Sequence, residues 1–341
     1  MYLHPSFKFR DEVSPELLQL LTKTTLGTNG AKYQHLDIEE RIYDADNPLF
    51  MSIERNGKVL GNIAFCRRGK FWYIRYFAFD SIFQAGPGEN TSRRKNSLFK
   101  NQIETYFHSL LNTENAARIE ALYAYIDPKN QRSKQMSELF GFRKIAQLRT
   151  QSFSRLHPKN RRVEQLDDWN AIRDLVQASY GNHLFYFESQ SSQPPFYVIR
   201  DENGEIVACV KVTLVNWKIA RIPGKFGGIL TKIIPYLPVM NRLIKPNKHT
   251  FLVPEIVCVK DNNTKVLEEL FSGILAMHQL NVMLWWIDEK DPAYTNMAPK
   301  VNWGILDKVL GRSEVDVVAR YAQMNADDLK KPVFVAAFDM V

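Results

Sequence analysis

The sequence predicts an α+β protein built as two domains in tandem, each a mostly antiparallel central sheet flanked by helices. Three observations point there. The chain has 341 residues, too many for one ordinary domain and comfortable for two. Apolar runs of strand character alternate with segments of helical period, in the same order in both halves. Between the halves, Leu156-His157-Pro158-Lys159-Asn160-Arg161-Arg162 is polar and broken by proline, as a linker is. We therefore place a first domain at residues 1–156, a linker at 157–162 and a second domain at 163–341.

In the first half, Ser14 caps a helix that Pro15 opens and Leu17, Leu18, Leu20 and Leu21 make apolar. Gly27 to Gly30 breaks it. Leu49–Ile53 and Val59–Cys66 form a hairpin turning at Arg55-Asn56-Gly57-Lys58. A third strand, Phe71–Phe79, follows Gly69. A loop containing Gly86-Pro87-Gly88 leads to a helix from about Ser97 to Leu111. Leu122–Ile126 is a short strand that Asp127-Pro128 ends. Asn130 or Ser133 then caps a short helix whose apolar face is Met136, Leu139 and Phe140. Gly141 stops that helix, because glycine takes the left-handed conformation without a Cβ clash, and Phe142–Gln147 is extended again.

The second half repeats the order. Val163–Leu166 is a strand, and Asp167-Asp168-Trp169 starts a helix through Ala178. Phe196–Ile199 and Ile206–Asn216 make a hairpin across residues 201–205. Phe251–Val259 is the central strand, Thr264–His278 a helix and Val282–Ile287 a strand apolar on both faces. Val315–Ala322 and Val333–Phe338 close this domain's sheet. One insertion, residues 222–246, mixes apolar residues with Lys225, Lys232, Arg242 and Lys245 and is broken by Pro235 and Pro238. Such a basic amphipathic piece is either a lid packed on its own domain or a peripheral membrane contact.

Composition sets bounds. Hydrophobic residues make up 45% and charged residues 24%, ordinary globular usage. No run of some 20 apolar residues exists and the N-terminus lacks a signal-peptide plan, so a cytoplasmic protein is expected. Cys66, Cys209 and Cys258 are far apart in apolar runs and read as buried thiols. The seven histidines show no metal-ligand spacing, so no metal is assigned. Residues 1–156 hold 23 Lys and Arg against 16 Asp and Glu, and the remainder 22 against 21, so most of the +8 net charge lies in the first half. That suits an anionic ligand such as a nucleotide; no nucleic-acid motif is present, and no nucleic-acid partner is expected.

The unit from Ala121 to Gln147, with Asn130, Arg132, Ser133, Gly141 and Phe142 in that order and spacing, resembles the closing unit of the GNAT superfamily of acyl-CoA-dependent N-acyltransferases. The element order of residues 1–156 is similar to that family's as well. The resemblance implies acetyl-CoA or another acyl-CoA as co-substrate, held in the first domain by a pyrophosphate loop at Arg93, Arg94, Lys95, Asn96 and Ser97, with Asn130 contacting the pantetheine arm. Asn96 stands where the family has glycine, and Leu98 replaces a small residue. It also implies that backbone amides at Phe77, Ala78 and Phe79 polarise the thioester carbonyl. The family's acid, a tyrosine, aligns with Ser137, a poor acid. Its usual glutamate base has no counterpart; Asp80 is the candidate. Tyr76 and Glu255 are candidates for the acceptor cleft. The second domain lacks the family's motifs: residues 260–265 contain no glycine, and no Asn-x-Arg unit follows Ile287. It is expected not to bind CoA.

These readings converge on transfer of an acetyl or short acyl group to a small-molecule or peptide amine. Two alternatives stay open at this level: a non-catalytic module of the same fold that binds a ligand or partner, and a tandem acyl or aminoacyl transferase acting at a membrane surface. The oligomeric state is not legible.

Overall fold

The computed structural model describes residues 3–27, 31–79, 90–112, 119–222, 227–323 and 325–340, with only the backbone elements described at 76, 78, 79 and 90–98. The first half contributes β1 (Phe7–Arg10), β2 (Lys32–His35), β3 (Pro48–Arg55), β4 (Lys58–Arg68), β5 (Phe71–Phe79), β6 (Ala121–Ile126) and β7 (Arg143–Ser154). The second contributes β8 (Glu164–Leu166), β9 (Phe196–Arg200), β10 (Ile206–Arg221), β11 (His249–Val259), β12 (Val282–Asp288) and β13 (Glu314–Tyr321). Helices flank the sheet, so the class is α+β, and all pairings are antiparallel except β5 with β6 and β11 with β12.

The two halves share one sheet. Its order is β1-β3-β4-β5-β6-β13-β7-β12-β11-β10-β9-β8, with β2 on β10. The halves are interlocked at its centre. β13, from the end of the chain, lies between β6 and β7 and pairs with both. β7, from the first half, pairs with β12 of the second. Each half therefore completes the other's sheet. This corrects the expectation that Val315–Ala322 closes its own domain. It is a strand, but one apolar on both faces (Val317, Val318 and Ala319 are all buried), and it is buried from both sides only in the middle of the joint sheet. Val333–Phe338 is not a strand at all. It is a strap, touching Leu184 by one bridge before a short helix at Ala337–Met340.

Local chemistry sets the element ends. Ser14 Oγ accepts from Leu17 N, and Asn130 Oδ1 accepts from Ser133 N, each capping the helix that follows. Gly141, at φ +74°, lets Phe142 N reach back to Ser137 O and close the helix. The helix expected from Ser97 instead begins at Asn90, so residues 93–97 lie in its first turns.

Alternation along the strands divides the first half's core. Trp72, Ile74 and Leu122 face the helix Asn90–Leu111 and pack with Phe107, Phe140 and Phe142. Tyr73 and Tyr123 face the other way, into a core shared with Trp217, Phe251 and Trp286 of the second half. Burying such a side chain stabilises the fold by about 1.5–3 kcal/mol, so this shared layer ties the halves together.

Candidate active site

β5 and β6 are paired only over Phe71–Tyr73 and Ala121–Tyr123, and then part. The cause is a bulge in β5. Asn62 and Ala64 of β4 face Ala78 and Arg75, so one extra residue of β5 lies between them. An extra residue bends a strand and increases its twist, which carries β5 away from β6. The second half repeats the device. Cys209 and Lys211 of β10 face Cys258 and Glu255, with the extra residue of β11 at Ile256–Val257; Ile256 has φ +53°. The parallel register of β11 and β12 is a single pair, Leu252 with Met283. The chain thus carries two V-shaped openings, one per half, in equivalent places.

Their contents differ. In the second half the opening is spanned by the chain itself, which leaves a small cavity between β11, β12 and the spanning segment. The strap runs from the end of β12, where Asp288 Oδ2 accepts from Val333 N at 2.8 Å, to β11, where Glu255 Oε2 accepts from Ala337 N at 2.7 Å. Tyr180 reaches the bulge: its hydroxyl accepts from Val257 N at 2.9 Å and donates to Val257 O at 3.0 Å. Burial raises the Asp288 carboxyl above its ordinary range, with the Lys290 and Val333 amides opposing that. Glu255, a candidate for the acceptor cleft, is buried and lines a small cavity under the strap with Tyr180, Trp286 and Asp288. It also pairs with Lys211 Nζ at 3.1 Å.

Beneath the first opening lies a polar network that the strap completes. Asp339 sits opposite Arg68 of β4, with Oδ1 2.7 Å from Nη2 and Oδ2 2.8 Å from Nη1. Arg68 also donates to Tyr123 Oη at 2.8 Å and to Asp46 at 2.9 Å. Tyr73 Oη donates to the Asp339 carbonyl at 2.8 Å. Arg75 donates to the Phe338 carbonyl and stacks 4.0 Å over its ring. Tyr125, on β6 just past the point of parting, lies 3.4 Å from Asp339 Oδ2. Burial raises the Asp339 carboxyl; the Arg68 guanidinium pulls it back down. Burial, reinforced by the Asp339 carboxylate, pushes the Tyr73 and Tyr125 hydroxyls far above the usual phenol range. Both therefore stay protonated at neutral pH.

The other predicted residues are placed as follows. Phe77 is exposed and meets Phe140 edge-on, and Ala78 and Phe79 continue β5. Arg93, Arg94, Lys95, Asn96 and Ser97 belong to the helix that begins at Asn90. Tyr76 lies in β5, at the bulge. Asp80 lies outside the described residues. Asn130 holds its helix cap, and the Ser137 hydroxyl is turned to its own helix, donating to Lys134 O at 2.8 Å. The sequence singles out neither Arg68 nor Asp339. A lone Arg in a strand and a lone Asp near the end of the chain carry no local signal; only the fold joins them across 271 residues.

A bulged central strand parting from a parallel neighbour, repeated in two interlocked halves, defines a tandem GNAT-like fold. No protein-family model matches the chain, and no curated protein matches it by sequence. Solved structures do. N-myristoyltransferase from Saccharomyces cerevisiae with bound myristoyl-CoA superposes with a TM-score of 0.57 at 11% identity, over 98% of this chain and 90% of that one. A second structure of that enzyme gives 0.56 at 10% identity, over 98% and 85%. A putative acetyltransferase from Pyrococcus horikoshii gives 0.50 at 8%, over 99% and 97%. At such identities the likeness is one of fold. Among the described residues no helix is long and apolar enough to cross a membrane.

Proposed function

We propose that the chain is an acyl-CoA-dependent N-acyltransferase, transferring an acetyl or short acyl group to a small-molecule or peptide amine. One observation carries the reading: the bulged strand β5 parts from its parallel neighbour β6 after Tyr73 and Tyr123, and among the described residues the strap's amide bonds to Asp288 and Glu255 span only the twin opening between β12 and β11, its end lying beneath the first. The twin also suggests how the first would work. There a hydroxyl oxygen, that of Tyr180, sits on the bulge amide of Val257. Phe77 is the equivalent residue of β5 by register. A thioester carbonyl oxygen held at the Phe77–Phe79 amides would be polarised in the same way, and backbone donors fixed in advance stabilise developing negative charge well.

The donor's pyrophosphate lies against the start of the helix Asn90–Leu111, where Arg93, Arg94, Lys95, Asn96 and Ser97 supply charge and donors. Asn130 contacts the pantetheine arm. The neutral amine nitrogen attacks the carbonyl carbon, the carbon–sulfur bond breaks, and the amine's proton passes to Asp80 or to water. The thiolate leaves with a proton from a neutral donor. Ser137, whose hydroxyl is bonded to its own helix, is not turned to that role, and burial makes Tyr125 a weak acid, so water is the donor. Yeast N-myristoyltransferase binds myristoyl-CoA, so a longer chain is the variant to test beside acetyl. The three free, buried cysteines fit a reducing compartment such as the cytoplasm.

Calorimetric titration with acetyl-CoA, longer acyl-CoAs, desulfo-CoA and ATP tests the proposal. Micromolar binding of the CoA forms but not ATP is expected, weakened about tenfold or more by Arg93→Ala/Arg94→Ala. No heat with any of them, from a folded sample, overturns it and leaves a non-catalytic binding module.

A further inference from the structure

Between Glu205 and Glu255 the chain has no acidic residue, while eight Lys and Arg fall in residues 206–254. The middle of that stretch is the excursion between β10 and β11. Its inner face is an ordinary packed cover: Thr231, Ile234, Leu243 and Ile244 are buried. Thr231 pins it, its hydroxyl donating to Gly227 O at 2.7 Å and accepting from Ile222 N at 3.0 Å. Ile219 N donates to Pro246 O at 2.7 Å and closes the base.

The outer face is not explained by packing. Ile229, Leu230, Ile233, Tyr236, Leu237 and Val239 all stand exposed, and Tyr236 is 84% exposed. They fall within residues 229–239 of one excursion rather than scattered over the chain, and apolar surface clustered in this way marks a docking face. In the same stretch of chain Lys218, Lys232, Arg242, Lys245 and Lys248 are exposed, and none makes an ion pair among the described residues. Apolar tips accompanied by unpaired cations, with no carboxylate for 49 residues of sequence, complement one surface above others: an apolar layer under anionic headgroups.

We propose that this face docks the protein peripherally on an anionic lipid bilayer, with the side chains of residues 229–239 inserted at the acyl boundary and the flanking cations on the headgroups. The inference stands on this surface alone and does not depend on the acyl-transfer reading.

Co-sedimentation of the full chain with phosphatidylcholine vesicles, with and without phosphatidylserine, tests it. The protein should pellet with the anionic vesicles only, and salt should release it. In Lys232→Glu/Arg242→Glu/Lys245→Glu, partitioning should fall by roughly fivefold or more per reversed charge. Ile229→Asp/Ile233→Asp should abolish it, and both variants should keep the wild-type circular dichroism, because every changed side chain is exposed. Fluorescence of Tyr236→Trp should blue-shift and be quenched by brominated acyl chains. Three results overturn the proposal. The wild type stays in the supernatant with anionic vesicles; or the charge-reversed variant binds as well as wild type; or sedimentation without lipid finds a dimer that Ile229→Asp/Ile233→Asp dissociates, which assigns the face to a second copy of the chain.

Discussion

Arg68 on β4 and Asp339 near the end of the chain form a two-pronged ion pair in which the two side chains are only 3% and 2% exposed. It joins the last residues of the second half to the floor of the first half's opening. A buried pair gains little over an apolar substitute, but a single partner left behind is costly, because an uncompensated charge stays in the interior. Asp339→Asn and Arg68→Met should each lower unfolding stability by about 3–5 kcal/mol. Arg68→Met/Asp339→Leu should cost clearly less than the sum. Urea unfolding of the four proteins measures this; additive losses would mean the two side chains are not coupled.

The interlocked strands predict how the chain can be divided. Residues 1–156 alone leave β6 and β7 without β13, the strand that both pair with. They also expose the shared core around Tyr73, Tyr123 and Leu148. This fragment should be unfolded or aggregate, as should 157–341. Co-expressed, the two should reassemble into one soluble complex. A cooperatively folded monomer of residues 1–156, seen by amide dispersion in NMR, would contradict the joint sheet.

Much of this was legible in the sequence. The Ser14 and Asn130 caps, the Arg55–Lys58 turn and the Gly141 stop are local chemistry, fixed by residues a few positions apart. The strand exchange was not. Val317 to Ala319 are apolar whichever half's sheet they enter, so period and composition cannot choose a partner 200 residues away. The strap shows the other limit. Val333 to Phe338 has strand character, yet its amides go to Leu184 O and the carboxylates of Asp288 and Glu255, because the gap it crosses has no strand edge to continue. The bulge at 76–77 carries no glycine or proline signal and register alone reveals it, whereas Pro254, in a central strand, is a hint of the bulge at 256–257.

Tyr180 gives a test of the closed opening. Its hydroxyl satisfies both the N–H and the C=O of Val257, deep in the second half. Tyr180→Phe leaves two buried backbone groups unpaired and should cost about 2 kcal/mol or more. If the second opening only supports structure, any CoA affinity measured for the wild type should be unchanged in the folded variant. A loss of affinity without loss of stability would assign ligand binding to the second half instead.

Two histidines contribute a share of the pH dependence of stability whose sign burial fixes, opposed at acid pH by the raised Asp288 and Asp339 carboxyls. Burial, with Lys245 adding to it, lowers His249 to about 4; burial, with Arg75 and Arg41, lowers His35 to about 3. Both are neutral in the folded chain at neutral pH. In the unfolded chain they take up a proton near pH 6.5. Between these values the unfolded state binds more protons, so stability falls as the pH drops below about 6.5. For His249 the loss reaches about 2 kcal/mol at pH 5 and levels off below pH 4, once the folded state is protonated too. His249 stacks on Phe251, its ring 5.2 Å away, and is 6% exposed, so little solvent screening softens the effect. His249→Gln should remove its share of the slope and leave that of His35. Urea midpoints measured from pH 7.5 to pH 5 decide it: a wild-type profile as flat as the variant's would mean that His249 is already solvated and titrates normally.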